Sequence, residues 1–593
     1  MNKFFLSETP HLPRSRFGVL YVFLVIIVSI LVIRSFQLQI VRGSTFLVKA
    51  EGNRVALVPL QASRGIIYDR NHEQLVENIA STDIVFDPTL LPDRDSEAAL
   101  LETIPALLKL PPAEVQRALQ IARSQQRITV LSKAVSHELV LELEEKIPEL
   151  PGVRLMSSSV RKYMHSLAAA HVLGYTSAVT AEELTDQADL LSTDQTGKAG
   201  IEKIYDQNLR GIHGATYTEI NASGRPIATL GIKDAIPGED LTLTINISLQ
   251  EYIYDILKRY YEEHGSEQGA AVVVMEPSTG AIHALVSYPA YDPNAFSQPE
   301  QRAASSQFFD NPLQPLFNRA INGMYPPGST IKPLLAAAGL EEGKITPQTT
   351  VLSEGGIDIG PWHFPDWKKG GHGVTDLNKA IAESVNTFFY LLSGGDETHQ
   401  GLGVEKMATY LQDFGWGKQT GIDIPGEAAG FIPSQKWKKE TKKESWYIGD
   451  TYHFGIGQGD VLATPLQITT ATAAIANGGT VRQPFIVPSA SKKTHTLSIR
   501  PEYLQAVRTA MRATVTDGSG RALANLPIAL AGKTGTAQIG GTEDTHAWFT
   551  SFGPTEQPKL VVTVLLERAG AGDEKAVPIA QQIWTWLLEH NEV

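Results

Sequence analysis

The sequence contains no cysteine. Disulfides, thiolate nucleophiles and cysteine-based zinc or iron–sulfur sites are thereby excluded. Positive charge is also in deficit: 51 Lys and Arg stand against 64 Asp and Glu, a formal net charge of -13. Broad nucleic-acid binding needs a basic face, so no nucleic-acid partner is expected. Internal repeats and long low-complexity segments are absent, and long apolar runs are absent except for one near the N-terminus. What remains is an ordinary globular balance, 42% hydrophobic and 19% charged, over 593 residues. That length exceeds one ordinary core and calls for two or more domains.

The exceptional run is FGVLYVFLVIIVSILVI, residues 17–33; Arg34 interrupts it and FQLQIV carries it on. A membrane span needs about 20 mainly apolar residues, which this stretch supplies if Arg34 snorkels to the interface. A cleaved signal peptide would have a shorter apolar core and a small-residue cleavage site, and RSFQLQIVRG offers none. The reading is an uncleaved single-pass anchor over residues 17–38. Lys3, Arg14 and Arg16 precede it, which puts residues 1–16 in the cytoplasm, although Arg34 and Arg42 dilute the bias. The bulk of the chain then lies outside the inner membrane, in the periplasm or its equivalent.

Beyond the anchor, ALVPLQASRGIIYDRNHEQLVEN reads as strand, turn, strand, with Asn71 and His72 near the turn. ELVLELEEKIPEL reads as an amphipathic helix ended by Pro151 and Gly152. TLTINISLQEYIYDILKRYYEEHG passes from a strand into a helix capped by Gly265, and a domain boundary is expected near this passage. The last block opens with a hairpin pattern, AAVVVMEP and AIHALVSYP around Ser278-Thr279-Gly280. It closes with ALAGKTGTAQI, HAWFTSFGP, KLVVTVLLER and a helix, PIAQQIWTWLLEH. Strands at both ends with helices between them predict one sheet assembled from distant segments, an α+β arrangement.

Within that block, YPPGSTIKPLLAAAGLEEG runs from Tyr325 to Gly343. Pro326, Pro327 and Gly328 make a turn, and Ile331, Leu334, Leu335 and Ala338 then fall at helical spacing. Ser329 stands at the first turn, and Lys332 is three residues on, on the same face. A serine hydroxyl needs a base, and a lysine serves once burial lowers its pKa toward neutrality. The helix N-terminus adds free N–H groups for an oxyanion. Two other Ser-x-x-Lys strings, Ser159 to Lys162 and Ser489 to Lys492, open no apolar helix after a tight turn.

KAIAESVNTFFYLL holds Ser384 and Asn386, a hydroxyl and an amide able to enter a cleft from one bend, for proton relay and substrate positioning. ALAGKTGTAQI holds Lys533, Thr534, Gly535 and Thr536. Gly532 and Gly535 mark close approach along a strand. Alternation puts Thr534 and Thr536 on one face and Lys533 on the other, so Lys533 reaches a shared site only if the strand twists or the site wraps its edge.

Ser-x-x-Lys, Ser-x-Asn and Lys-Thr-Gly in this order form the motif set of penicillin-binding proteins and class A β-lactamases. YPPGSTIKP, GIGQGDVLATPLQ (455–467) and GKTGTAQ closely resemble class B penicillin-binding proteins; RGIIYDRN (64–71) and GIEKIYDQNLRG (200–211) resemble that family's pedestal. His72 departs from the glycine usual after this Asp-Arg-Asn, which bears on the turn and not on the chemistry. The resemblance implies an elongated α/β pedestal of the dimerisation-domain type over 39–240. Residues 241–593 would form a β-lactamase-like transpeptidase domain, an antiparallel sheet flanked by helices. It implies a D,D-transpeptidase acting on peptidoglycan stem peptides and blocked by β-lactams. Ser329 would form the acyl-enzyme, Lys332 act as base, and Ser384 and Asn386 stand across the cleft. Lys533, Thr534 and Thr536 around Gly535 would hold the substrate carboxylate, and the N–H groups of Ser329 and Thr536 would make the oxyanion hole.

PDWKKGGHG (365–373) and AESVNTFFY resemble the elongation-type branch, penicillin-binding protein 2, more than the division type. With no glycan-polymerising motif in the chain, a RodA-like polymerase of the shape, elongation, division and sporulation (SEDS) family and elongation-complex scaffold proteins are the implied partners. Some relatives hold a metal near this loop through Asp, His and Cys. Here Asp366 and His372 are present but the cysteine is replaced in context by Val385, and two ligands do not close a site, so no metal and no cofactor is expected. A β-lactam sensor would need an output domain larger than residues 1–16. A division-type enzyme, a non-catalytic scaffold or a hydrolase using water as acceptor are the other readings the sequence admits.

Overall fold

The structure is a computed structural model that describes residues 14–42, 55–91, 97–125, 127–187, 189–220, 226–265, 268–298, 301–488 and 492–593. Ser489, the second alternative serine, lies outside the described residues, as does Lys3.

Arg14–Phe36 is an α-helix that continues into a π-helical turn, Gln37–Val41. The stretch Gly18–Val41 is long and apolar enough to cross a membrane, and its most apolar part is not buried. It runs three residues past the end of the expected span. Arg34 reaches forward along the helix and donates to Gln37 Oε1 at 2.7 Å.

The pedestal block has three parts. Val55–Leu60, Gly214–Ile220 and Pro226–Lys233 form an antiparallel sheet. Val76–Phe86 and Val153–Tyr163 pair along their whole length, and one end of this ribbon builds a lobe with its own core of Ile84, Phe86, Leu100, Ile104, Val115 and Leu119. At the other end Val76, Tyr163, Leu173, Ile201 and Leu209 join the core of the C-terminal domain. The RGIIYDRN segment is the clasp: Asp69 accepts the backbone N–H groups of Asn71 and Glu73 at 2.7 and 2.8 Å with one oxygen and that of Ile247 at 3.2 Å with the other. His72 keeps the turn by adopting φ +63°, a left-handed conformation that costs a non-glycine residue roughly 1–2 kcal/mol. Ser159 sits mid-strand opposite Ala80, and Lys162 pairs with Glu77 at 3.4 Å, so the first alternative serine has no lysine beside it.

The C-terminal domain is built on a five-stranded antiparallel sheet in the order Ile282–Tyr288, Ala270–Met275, Leu560–Leu566, Thr545–Gly553, Ala531–Gln538. Its strands come from both ends of the domain, as the pattern predicts. AAVVVM and LVVTVLL are apolar without alternation because both faces are covered. Val272, Val274, Val562 and Val564 pack under the helices Ile247–His264 and Gly572–Glu589, while Ala271, Val273, Val561 and Leu565 pack against the helical lobe inserted between the strands. Ile247–His264 ends at Gly265 with φ +56°, the expected left-handed cap. Ala531–Gln538 is an edge strand, and its free edge meets the Tyr325–Ile331 turn.

Candidate active site

Tyr325 and Ala463 exchange both backbone hydrogen bonds, at 3.0 and 2.9 Å, and so tie the start of the turn to the GIGQGDVLATPLQ segment. Gly328 donates its N–H to Gly457 O at 2.9 Å. The two glycines are so close that a Cβ on Gly457 would lie 2.0 Å from Gly328 O. That contact is the physical reason for a glycine at 457; at 328 the reason is a φ of +52° and a Cβ that would lie 3.0 Å from Thr536 O. From this support a 3₁₀ turn, Gly328–Ile331, leads into the helix Lys332–Glu341, and the apolar residues Ile331, Leu334, Leu335 and Ala338 are all buried. Ser329 is left partly exposed at the mouth.

Lys332 is fully buried. Its Nζ donates to Ser384 O at 2.8 Å and Asn386 Oδ1 at 2.7 Å and lies 3.3 Å from Ser384 Oγ. None of these acceptors carries a charge, and the Phe389 ring lies 5.3 Å away. Burial pulls the Lys332 pKa down to about 7, and the Asp366 carboxylate opposes this only in part. Lys533 is buried as completely; its Nζ donates to Ser384 Oγ and Thr534 O, both at 2.9 Å. Burial, and then repulsion from Lys332, hold its ammonium well below the usual lysine value. The Ser384 hydroxyl thus bridges two lysines that both resist protonation.

Ser384 adopts φ +57°. The left-handed bend turns both its carbonyl and its hydroxyl toward the lysines, and Asn386 then opens the helix Asn386–Gly394. Asp366 supplies that helix's missing N-terminal acceptors: Oδ1 takes the Asn386 N–H at 3.1 Å, and Oδ2 takes the N–H and hydroxyl of Thr387 at 2.9 and 2.7 Å. Burial raises its pKa, but these bonds prevail and hold the carboxyl below its usual range. Asp366 therefore fixes the Ser384–Asn386 bend. His372 Nδ1 meets Glu383 Oε2 at 2.6 Å, and its Nε2 is 3.7 Å from Asp366. No group of three His, Asp or Glu side chains placed to hold a metal occurs among the described residues.

On the edge strand alternation holds. Ala531 and Ala537 pack into the helical-lobe core, and Lys533, on their face, crosses to Ser384. The Thr534 hydroxyl pairs with Ser519 Oγ at 2.6 Å, and the Thr536 hydroxyl accepts the Gly572 N–H at 3.1 Å while keeping its own proton to donate. The Thr536 carbonyl points off the free edge, 3.5 Å from the Gln458 amide nitrogen. The N–H and C=O of one strand residue leave on the same side, so the Thr536 N–H also faces the Gly328–Ser329 turn. A Cβ on Gly535 would approach Thr330 Cγ2 and Pro327 O at 3.0 and 3.1 Å, so the strand and turn meet in close contact there.

Hydrogen bonds thus join Lys332, Ser384, Asn386 and Lys533, and the turn that carries Ser329 meets the edge strand at Gly535 and Thr536. Sequence reasoning missed Ser519, which sits between Gly518 and Gly520 after the helix Pro501–Thr516. The Gly-Ser-Gly string was its only signal: a Cβ on Gly518 would lie 2.2 Å from Ala382 O. It also missed Gln458.

Residues 270–585 match the penicillin-binding protein transpeptidase domain, and residues 59–243 match the penicillin-binding protein dimerisation domain. Peptidoglycan D,D-transpeptidase MrdA of Haemophilus influenzae is 32% identical, over 96% of this chain and 90% of its own length. The chain belongs to the class B penicillin-binding proteins, the peptidoglycan D,D-transpeptidases. MrdA of Salmonella typhimurium is 33% identical to this penicillin-binding protein, over 95% of it and 94% of the relative. Among solved structures, penicillin-binding protein 2 of Helicobacter pylori in complex with MreC superposes with a TM-score of 0.78 at 29% identity, covering 91% of this penicillin-binding protein and 99% of that chain. A chain from a peptidoglycan synthase complex coordinating polymerization and crosslinking matches with a TM-score of 0.71 at 28% identity, covering 96% and 98%.

Proposed function

We propose that Ser329 is the nucleophile of the transpeptidation and Lys332 its general base. The observation that carries this reading is a fully buried Lys332 ammonium with only uncharged acceptors, one helical turn from a partly exposed serine. A lysine with a pKa of about 7 is in large part deprotonated near physiological pH and able to accept a proton. Lys332 takes the Ser329 proton as Oγ attacks the carbonyl carbon of the penultimate D-Ala. The N–H groups of Ser329 and Thr536 stabilise the oxyanion. As the C–N bond breaks, the proton passes from Lys332 through the Ser384 hydroxyl to the leaving nitrogen, and D-Ala departs. An amine of a neighbouring strand then attacks the Ser329 ester, its proton returns by the same route, and Ser329 leaves protonated with the cross-link formed.

Asn386 has its carbonyl taken by Lys332, so its NH₂ is the group left to hold the substrate amide. Lys533, Thr534 and Thr536 hold the terminal carboxylate, with Gly535 giving the room. We set the pedestal at 39–240 and the transpeptidase domain at 241–593; the support is that the dimerisation-domain match ends at 243 and the helix Ile247–His264 packs on the transpeptidase sheet. Residues 1–16 lie in the cytoplasm and the remainder beyond the anchor outside it, by the charge bias of Lys3, Arg14 and Arg16. The role is cell-wall elongation, with a RodA-like polymerase and scaffold proteins as partners. The MrdA relatives and the two solved assemblies support that reading.

Treatment with penicillin followed by peptide mass spectrometry tests the nucleophile. The adduct is expected on Ser329 and absent from Ser329→Ala; an adduct on Ser159 or Ser489 overturns the assignment.

A further inference from the structure

The loop after the hairpin Gly356–Ile359 and Trp362–Pro365 is bolted to the reactive bend. Asp366 holds the Asn386 and Thr387 N–H groups, His372 holds the Glu383 carboxylate, and the Trp367 indole N–H donates to Glu383 O at 3.1 Å. Glu383 immediately precedes Ser384. Three glycines with positive φ, Gly370, Gly371 and Gly373, return the chain, and a Cβ on Gly371 would lie 2.1 Å from Ser353 O, so the loop is seated as well as tied.

On this rigid base Trp367 meets only the Glu383 carbonyl and the edge of the His372 ring, 5.2 Å between centroids. Trp367 is fixed by its N–H, yet the residue is 63% exposed, where a packed tryptophan would remove its large apolar surface from water. Lys368 and Lys369 are exposed and enter no ion pair among the described residues. The result is an immobilised aromatic plate with two free ammonium groups, beside the residue that passes the proton.

We propose that Trp367, Lys368 and Lys369 form the docking site for the acceptor: an anionic peptide whose carboxylate meets the lysines and whose aliphatic, amine-bearing stem lies across the indole. The choice of acceptor over donor follows from position. The donor carboxylate belongs to Lys533, Thr534 and Thr536 on the edge strand. The incoming amine must lose its proton where the leaving amine gained one, at Ser384, and the loop stands on that wall. This inference rests on Ser329 as the nucleophile. Trp367, Lys368 and Lys369 touch none of the bonds broken in acylation and act as specificity determinants for the second half-reaction.

The test uses the full chain in detergent with a small D-alanyl thioester donor and a soluble anionic peptide acceptor bearing one free amine. The readout is the ratio of transfer to hydrolysis per acyl-enzyme formed, as a function of acceptor concentration. In Trp367→Ala and in Lys368→Ala with Lys369→Ala, the acceptor concentration for half-maximal transfer is expected to rise about fivefold to tenfold. Trp367→Phe should restore most of the loss. Amidating the acceptor's carboxylates should abolish the effect of the lysine variant and leave that of Trp367→Ala. An unchanged ratio in both variants overturns the proposal. So does a Trp367→Ala enzyme that forms no acyl-enzyme together with a lysine double variant of normal ratio, because the loop then only holds the bend. Failure of the wild type to acylate at Ser329 overturns the nucleophile assignment instead.

Discussion

The pedestal and the transpeptidase domain each bury a pair of cations, and these two pairs are treated in opposite ways. In the pedestal, Arg64 and Arg161 grip one buried carboxylate: Glu202 takes Arg161 Nε at 2.7 Å and Arg64 Nη2 at 2.6 Å, and Asp206 takes Arg64 Nη1 at 2.9 Å. In the transpeptidase domain, Lys332 and Lys533 are as deeply buried but meet only carbonyls, an amide and a hydroxyl. A guanidinium cannot shed its proton, so a buried arginine demands counter-charge. A lysine without counter-charge sheds its proton instead and becomes a base. The first arrangement keeps its cations charged; the second lowers the pKa of both lysines.

The sharpest way to break this contrast is to exchange one cation for the other. Lys332→Arg places a permanent charge among neutral acceptors and is expected to lower the acylation rate by penicillin by well over tenfold, a barrier rise above about 1.4 kcal/mol. In the wild type the folded-state pKa of about 7 lies below the ordinary lysine value of 10.5, so acylation should rise as pH increases through about 7 and then level off. A loss smaller than tenfold, or a flat profile across neutrality, identifies another base.

The pedestal arm of the contrast is sharpened by Glu202→Gln, which leaves two buried guanidinium groups without their shared charge. A stability loss of roughly 3–5 kcal/mol is expected in chemical unfolding, with penicillin acylation per folded molecule retained. The sign with pH is opposite to that at Lys332. Burial alone would raise the Glu202 pKa, but Arg161 and Arg64 outweigh it and hold the carboxyl below its ordinary 4.5. Its contribution is therefore fully present above pH 4.5 and lost as pH falls through the lower folded value. Stability of the glutamine variant should depend less on pH in that acid range.

The smallest effect tests the boundary of the reactive region. Thr534→Val with Thr536→Val removes two hydroxyls but no charge, and should weaken acylation by roughly tenfold, as the loss of one or two hydrogen bonds to a charged group does. The circular dichroism spectrum should be unchanged. Unaltered acylation places the carboxylate elsewhere.

How much of this could be read from the sequence follows the range of the forces involved. Ser329 and Lys332 are one helical turn apart, and local geometry was enough to pair them on one face. The five-stranded sheet was legible because AAVVVM and LVVTVLL are runs that only a sheet covered on both sides accommodates. The span was legible because Gly18–Val41 has no charged residue but Arg34. Motif order supplied the rest of the cleft through resemblance.

The sequence alone determined the strand and helix patterns, the one apolar span and the motifs that nominate the reactive groups, because each depends on periodicity or on chemistry within a few residues. Only the tertiary structure decided the protonation of Lys332 and Lys533, since that depends on which groups 50 to 200 residues away exclude water from them. It decided that Lys533 reaches Ser384 across the edge of the sheet, where strand alternation left two routes open. It also turned Asp366 from a loop residue into the cap of the Asn386 helix and brought Ser519 to Thr534. Those contacts join segments with no local constraint between them, so no short-range pattern could encode them.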